Sequence, residues 1–346
     1  MPAAASEGGG SAAPTSPRGA AGGSIPASVT LSVETGRAPA SAAPGVPAAG
    51  SAAASGDGGA ATAIPSLEQL AAFTRRVWQQ GERLYRDLPW RNTRDPYAIL
   101  VSEVMLQQTQ VSRVLGRWEQ WLEAFPTAQS LATAPVTPVL ELWQGMGYNR
   151  RALNLKRSAE EVVARFGGHV PQGREELLSL PGVGPATAAG VRAFAFCQPG
   201  VYLETNVRTV FLHELYQGRD KVRDKELEPL VAVTCPEAGP QVRSWYYALL
   251  DYGAHLKRTQ PNPSRRSAQH TRQSAFEGSH RQKRAYLLRR VLEAPASTGQ
   301  LADDLSQAER SAGRPALSAG QVAAIMEELA GEGFVEQAGG LWHCRE

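Results

Sequence analysis

Leu180-Pro181-Gly182-Val183-Gly184-Pro185-Ala186-Thr187 separates two runs of apolar residues at helical spacing and reads as a tight turn between two helices. Its glycines let the backbone come close to a phosphate, and the N–H groups opening the second helix form an anion site. Gly182 and Gly184 are therefore candidate DNA contacts, although a Pro-Gly turn can also join two helices and do nothing more. Outward from this turn, between Ser66 and about Ala254, apolar residues keep recurring at helical spacing between short Pro/Gly turns. No alternating run is long enough for a sheet. The region is expected to be all-α.

Upstream, Asp95-Pro96-Tyr97 is a helix start, with Asp at the cap and Pro in the first turn, where its missing N–H costs nothing. Tyr97, Leu100, Val101, Val104 and Met105 then form one buried stripe. Glu103 projects from its flank, with Gln107 one turn further along. A lone Glu there is ordinarily a solvated residue. Its surroundings, Ser102-Glu103-Val104-Met105-Leu106-Gln107-Gln108-Thr109-Gln110, put three glutamines in four residues, a set of hydrogen-bonding probes suited to base edges.

The 346 residues allow two compact domains plus flexible parts. Residues 1–63, mostly Ala, Gly, Ser and Pro, cannot bury enough apolar surface to offset their conformational entropy, so a disordered tail is expected. Cys197, Cys235 and Cys344 are far apart, which argues against a disulfide framework and against a metal site needing four thiolates. A reducing, cytoplasmic setting follows, at most nucleoid-associated; no signal peptide or membrane span is read, and a soluble monomer is expected. Between Ala254 and Arg290 ten Lys/Arg face one acid, an excess of nine positive charges in a chain whose net charge is +3. Such a segment suits a polyanion, or it is a solvated linker. Beyond it come helices over about 284–292, 300–305 and 318–331 and a hairpin around Gly339-Gly340. Three helices and a hairpin make the winged-helix pattern, whose third helix commonly enters the major groove; such modules also dock proteins.

Residues 66–254 resemble the A/G-mismatch adenine DNA glycosylases within the helix-hairpin-helix (HhH-GPD) glycosylase superfamily. The matching stretches are Leu88-Pro89-Trp90-Arg91, Ser102–Gln110, Gly145-Met146-Gly147-Tyr148, the 180–184 turn with Thr187-Ala188, and Asn206-Val207-Arg208, in the family's order and spacing. The resemblance implies a two-lobed helical fold over 64–256, then a basic linker over 257–283 and a winged-helix-like α+β module over 284–346. It implies a double-stranded DNA partner carrying a mismatched or damaged base, and base extrusion before the N-glycosidic bond is cut. Glu103 matches the acid that protonates the departing adenine; its apolar flank would raise its pKa. Gln107, Gln108, Tyr148 and Asn206 match residues that touch DNA.

This chain also departs from the family. The second carboxylate is an Asp in the family and Glu204 here; Val207, Val210, Phe211 and Leu215 mark the helix that follows. Glu204 thus sits ahead of a helix's positive end, a position expected to keep it ionised and able to stabilise an oxocarbenium-like sugar. The Lys of bifunctional relatives is Ala186, which implies a monofunctional hydrolase. The family's iron–sulfur cysteines are Lys257, Ser264, Ser267 and Gln273, so no cofactor is expected, and Arg265, Arg266 and Arg272 are expected to take over phosphate contacts. Where the family carries a larger β-rich domain that reads 8-oxoguanine, this chain has the 63 residues of winged-helix character over 284–346. Alternatives are a glycosylase of the same fold for mismatched thymine, uracil or a damaged pyrimidine, and a catalytically inactive DNA-binding protein.

Overall fold

A computed structural model describes residues 65–271 and 274–346. The expected tail over 1–63, Arg272 and Gln273 lie outside the described residues. The helices run α1 Leu67–Leu84, α2 Pro96–Leu106, α3 Val111–Val114, α4 Arg117–Ala124, α5 Ala128–Thr133, α6 Val136–Trp143, α7 Arg150–Phe166 and α8 Arg174–Leu178. Then follow α9 Pro185–Phe196, α10 Thr205–Leu215, α11 Asp224–Thr234, α12 Pro240–Thr259, α13 His280–Glu293, α14 Thr298–Ser311 and α15 Ala319–Glu332. The antiparallel pair β1 Val335–Ala338 and β2 Leu341–Cys344 closes the chain, with Val335 opposite Cys344. The fold is all-α with a small α+β module at the end. No described helix is long and apolar enough to cross a membrane.

Local chemistry sets the helix starts. Ser66 caps α1 reciprocally with Gln69, and Asp95 accepts from the N–H groups of Tyr97 and Ala98 ahead of Pro96. The single stripe read for α2 is too narrow. Ala98, Ile99 and Ser102 are buried as well, because α4, α7 and α9 all pack around this helix. One lobe gathers α2 to α9; in the other, α1 and α10 lie against α12 through Phe73, Phe211 and Trp245. Asp251 of α12 ties the lobes' edges together. It accepts two bonds from the Arg91 side chain at 2.7 and 2.8 Å, and two from Arg86, at 2.6 Å from Nε and 3.2 Å from the backbone N–H. Arg243 donates to the carbonyls of Phe194, Arg91 and Thr93, which anchors the Leu88–Arg91 segment beside α9.

The junction with the terminal module differs from expectation. The basic linker is shorter than 257–283, since α12 continues to Thr259 and α13 starts at His280. The third helix of the module, α15, carries Glu327, Glu328 and Glu332 and no Lys or Arg. Glu332 pairs with Arg150 of α7 and with Arg284, while Glu328 pairs with His280 and Arg284. An acidic helix docked on the cations of α7 and α13 is not built to enter a groove of DNA. Leu287, Leu301, Val322, Met326, Phe334 and Trp342 form the module's core.

Candidate active site

A cavity of about 390 Å³ opens where α2, α9, the start of α10 and α12 meet, within the size range of small-molecule sites. Glu103, Gln107, Gln108, Ala186, Glu204 and Asn206 all line it, so helices separated by about a hundred residues bring the two carboxylates into one space. Trp90, Tyr202 and Tyr247 give it aromatic walls, with Tyr247 stacked flat on Phe194 at 4.6 Å.

The two carboxyl groups stand in unlike environments. Glu103 lies among apolar groups, with the Tyr202 hydroxyl donating to its Oε2 at 3.1 Å. Burial pushes its pKa up to about 8, the Tyr202 bond opposing and the negative charge of Glu204 assisting. At neutral pH Glu103 therefore holds a proton. Glu204 is the N-cap of α10: its Oε1 accepts from the N–H groups of Asn206 at 2.6 Å and Val207 at 3.0 Å. The helix end pulls toward the ionised form as expected, but it acts against burial. Burial raises its pKa, against the lowering effect of those two N–H bonds and of Lys257 and Arg208. Among the described residues Glu103 has no cation of this kind.

The other expected contacts are dispersed. Gln107 Nε2 donates to Thr187 Oγ1 at 2.9 Å and to Gly182 O at 3.4 Å, fastening the glutamine turn to the hairpin. In that hairpin Gly182 has φ +77°, and a Cβ there would come within 2.8 Å of Asn154 Cβ, so only glycine serves. Gly184 is the N-cap of α9 and offers no side chain, which leaves the first N–H groups of the helix for an anion. Asn206 stays inside, with its Nδ2 3.4 Å from Glu204 Oε2 and its Oδ1 accepting from Lys257 Nζ at 3.2 Å. Tyr148 stands exposed at the start of α7.

Arg265 is exposed, but Arg266 is half-buried and turned toward the protein. Its guanidinium donates to Leu212 O at 2.7 Å and Tyr216 O at 2.6 Å, capping the carbonyl end of α10. Local charge counting missed this because a carbonyl end attracts a cation as a phosphate does. Sequence reading also missed Tyr202, Gly190 and Arg151, whose roles exist only in three dimensions. Gly190 alone left a trace, as a glycine interrupting the Ala-rich run of α9.

Comparison with known proteins bears on this geometry. Residues 101–237 match the family model described as HhH-GPD superfamily base excision DNA repair protein. The chain is 38% identical over 183 residues to an adenine DNA glycosylase of Mycobacterium tuberculosis, covering 51% of this chain and 59% of that one. It is 39% identical over 163 residues to the adenine DNA glycosylase of Rattus norvegicus, covering 44% and 32%. A thymine/uracil-DNA glycosylase of Pyrobaculum aerophilum is 33% identical over 172 residues, covering 48% of this chain and 74% of that one. The chain belongs to the HhH-GPD superfamily of base excision DNA repair proteins.

The resemblance implies an iron–sulfur cluster after the helix corresponding to α12, and the described residues at its ligand positions do not fit one. Lys257 is committed to Asn206, and the buried Ser264 hydroxyl donates to Asn262 Oδ1 at 2.7 Å. The buried Ser267 pairs its backbone with Val222, through Val222 N to Arg266 O and Ala268 N to Val222 O. Amine and hydroxyl groups do not replace the thiolates that such clusters need.

Proposed function

We propose that this chain is a monofunctional DNA glycosylase that hydrolyses the N-glycosidic bond of adenine flipped out of a mispair. The observation that carries the reading is the opposed pair in one cavity, a protonated Glu103 and a cation-flanked Glu204. In this mechanism the Glu103 proton passes to a ring nitrogen of the base as the C1′–N bond breaks and its electrons leave with the base. Glu204 stabilises the sugar cation, water adds at C1′, and its proton goes to a carboxylate. Adenine suits a neutral acid because its ring nitrogens accept a proton, whereas thymine has no basic ring nitrogen.

No lysine lines the cavity among the described residues, and Ala186 occupies its rim, so simple hydrolysis without a Schiff base is the expected course. The backbone N–H groups at Gly184 would hold a phosphate of double-stranded DNA. The protein acts without an iron–sulfur cluster in this reading, and anaerobically purified protein is expected to be colourless.

Single-turnover excision on duplexes carrying each mispair or lesion, followed by alkali, tests the reading. Adenine opposite guanine or 8-oxoguanine should be released fastest. Release of thymine or uracil in preference would favour the second reading, to which the similarity with the Pyrobaculum enzyme lends support. No release of any base would leave a DNA-binding protein.

A further inference from the structure

Gln108 and Tyr148 are non-glycine residues at positive φ, 52° and 50°, on two turns that one buried side chain binds together. Arg151 donates to the carbonyls of Val104, Met105 and Gln107 on one turn, at 3.0, 2.9 and 2.6 Å. On the other it donates to those of Met146 at 3.2 Å and Gly147 at 3.0 Å. Gln108 lines the active-site cavity, left-handed non-glycine residues held by their surroundings cluster at functional sites, and Arg151 ties the Tyr148 turn to this one. Tyr148 is the exposed aromatic there, with the Arg151 guanidinium 5.7 Å from its ring centre.

A second guanidinium reaches the same ring from the terminal module. Arg281, in the first turn of α13, donates to Tyr148 Oη at 2.8 Å and lies 5.5 Å from the ring centre. Its Nη2 donates to Ser274 O at 2.9 Å and to Ser274 Oγ at 3.4 Å. Arg284, Arg290 and Arg314 of this module face carboxylates, whereas among the described residues the partners of Arg281, Tyr148 and Ser274, are neutral. Its charge is therefore left for a polyanion, and its stacking removes rotational freedom from the tyrosine before any ligand arrives.

A nucleotide drawn into the cavity leaves a hole in the base stack, which a pre-oriented aromatic ring can fill. We propose that Arg281 is a positioning residue through which the terminal module takes part in DNA recognition, holding Tyr148 ready to enter the gap left by an extruded nucleotide. The inference rests on the glycosylase reading for the identity of the ligand. It assigns the module to the DNA face through the start of α13, and not through α15.

The test is binding by the full chain to a duplex with a tetrahydrofuran abasic analogue and to the undamaged duplex, with no excision involved. The ratio of the two affinities reports gap recognition. Arg281→Met and Arg281→Lys should each lower it roughly tenfold, the scale of a stacked, hydrogen-bonded guanidinium that an ammonium cannot copy. Combined with Tyr148→Phe, Arg281→Met should cost less than it does alone. A parental ratio in Arg281→Lys would reduce the residue to a plain charge and overturn the proposal, as would full additivity or a parent that shows no preference for the gap. A parent that prefers the gap but releases no base would sink the glycosylase reading while leaving the clamp supported by the variants.

Discussion

Gly190 lies directly beneath the carboxyl group of Glu103: a Cβ at position 190 would stand 2.8 Å from Glu103 Cδ and 2.9 Å from Tyr202 Cε2. The helix α9 thus gives up a favourable alanine, worth about 1 kcal/mol in an open helix, to leave room for the acid. Gly190→Ala should displace Glu103 and slow excision by roughly 100-fold, the scale of a lost general acid. Single-turnover rates check this, and a variant as fast as the parent would mean that the carboxyl group can work from elsewhere.

Glu103 also sets the alkaline side of the pH profile. With its pKa near 8, the proton is present at neutral pH and lost above it, so excision should fall as pH rises through about 8. Tyr202→Phe removes a bond that favours the charged form, and this limb should then move to higher pH. An alkaline limb unmoved by that change would separate Tyr202 from the acid.

Stability should follow the same proton with an unusual sign for a carboxyl group. The unfolded chain releases it near pH 4.3, the native state near 8, so the native state binds more protons in between and loses stability as pH rises across that window. Glu103→Gln removes this dependence. It should excise roughly 100-fold more slowly yet melt higher than the parent at pH 8, with the advantage gone near pH 4. Equal melting temperatures at pH 8 would show that the acid is better solvated than its surroundings indicate.

Arg265 and Arg266 are neighbours with different expected behaviour. Arg265→Gln should make the slope of log affinity against log salt shallower by about 0.9 if it meets one phosphate. Arg266→Gln should leave the slope unchanged and lower the melting temperature, because two carbonyls at the end of α10 lose their donor. The reverse pattern would put Arg266 on the DNA.

These two arginines show where sequence was sufficient and where it was not. Helix caps and the hairpin were legible because each is written in contiguous residues, such as Asp95-Pro96 or the 180–184 turn, whereas the two carboxylates stood out only through the family resemblance. The count of ten basic residues could not distinguish a cation facing solvent from one spent on Leu212 O or Glu332, since those partners lie elsewhere in the chain. The environment of Glu103 was only half visible. Its apolar stripe came from α2, but Tyr202 and Gly190 come from other segments. The acidic α15 was readable from composition alone and was obscured by the pattern of three helices and a hairpin.

Glu204 carries the last prediction. As the counter-charge to the sugar cation, it should depend on charge more than on length. Glu204→Gln keeps an oxygen that can cap Asn206 and Val207 but removes the charge, and in a water-poor site that stabilisation is worth about 3 kcal/mol, on the order of 100-fold in rate. Glu204→Asp keeps the charge but withdraws it by about 1.5 Å, one carbon–carbon bond. The shorter side chain loses reach in a cavity shaped for Glu, so its rate should fall between the two. Because burial raises the pKa of Glu204, excision should also decline on the acid side at a pH above the ordinary carboxylate range. Together with the limb near pH 8 this gives a bell-shaped profile whose two values belong to the coupled pair. The Gln variant should lose the acid limb and keep the alkaline one. If instead Glu204→Gln excises at the parental rate, the residue is a helix cap only, and the sugar cation must be stabilised without a second carboxylate.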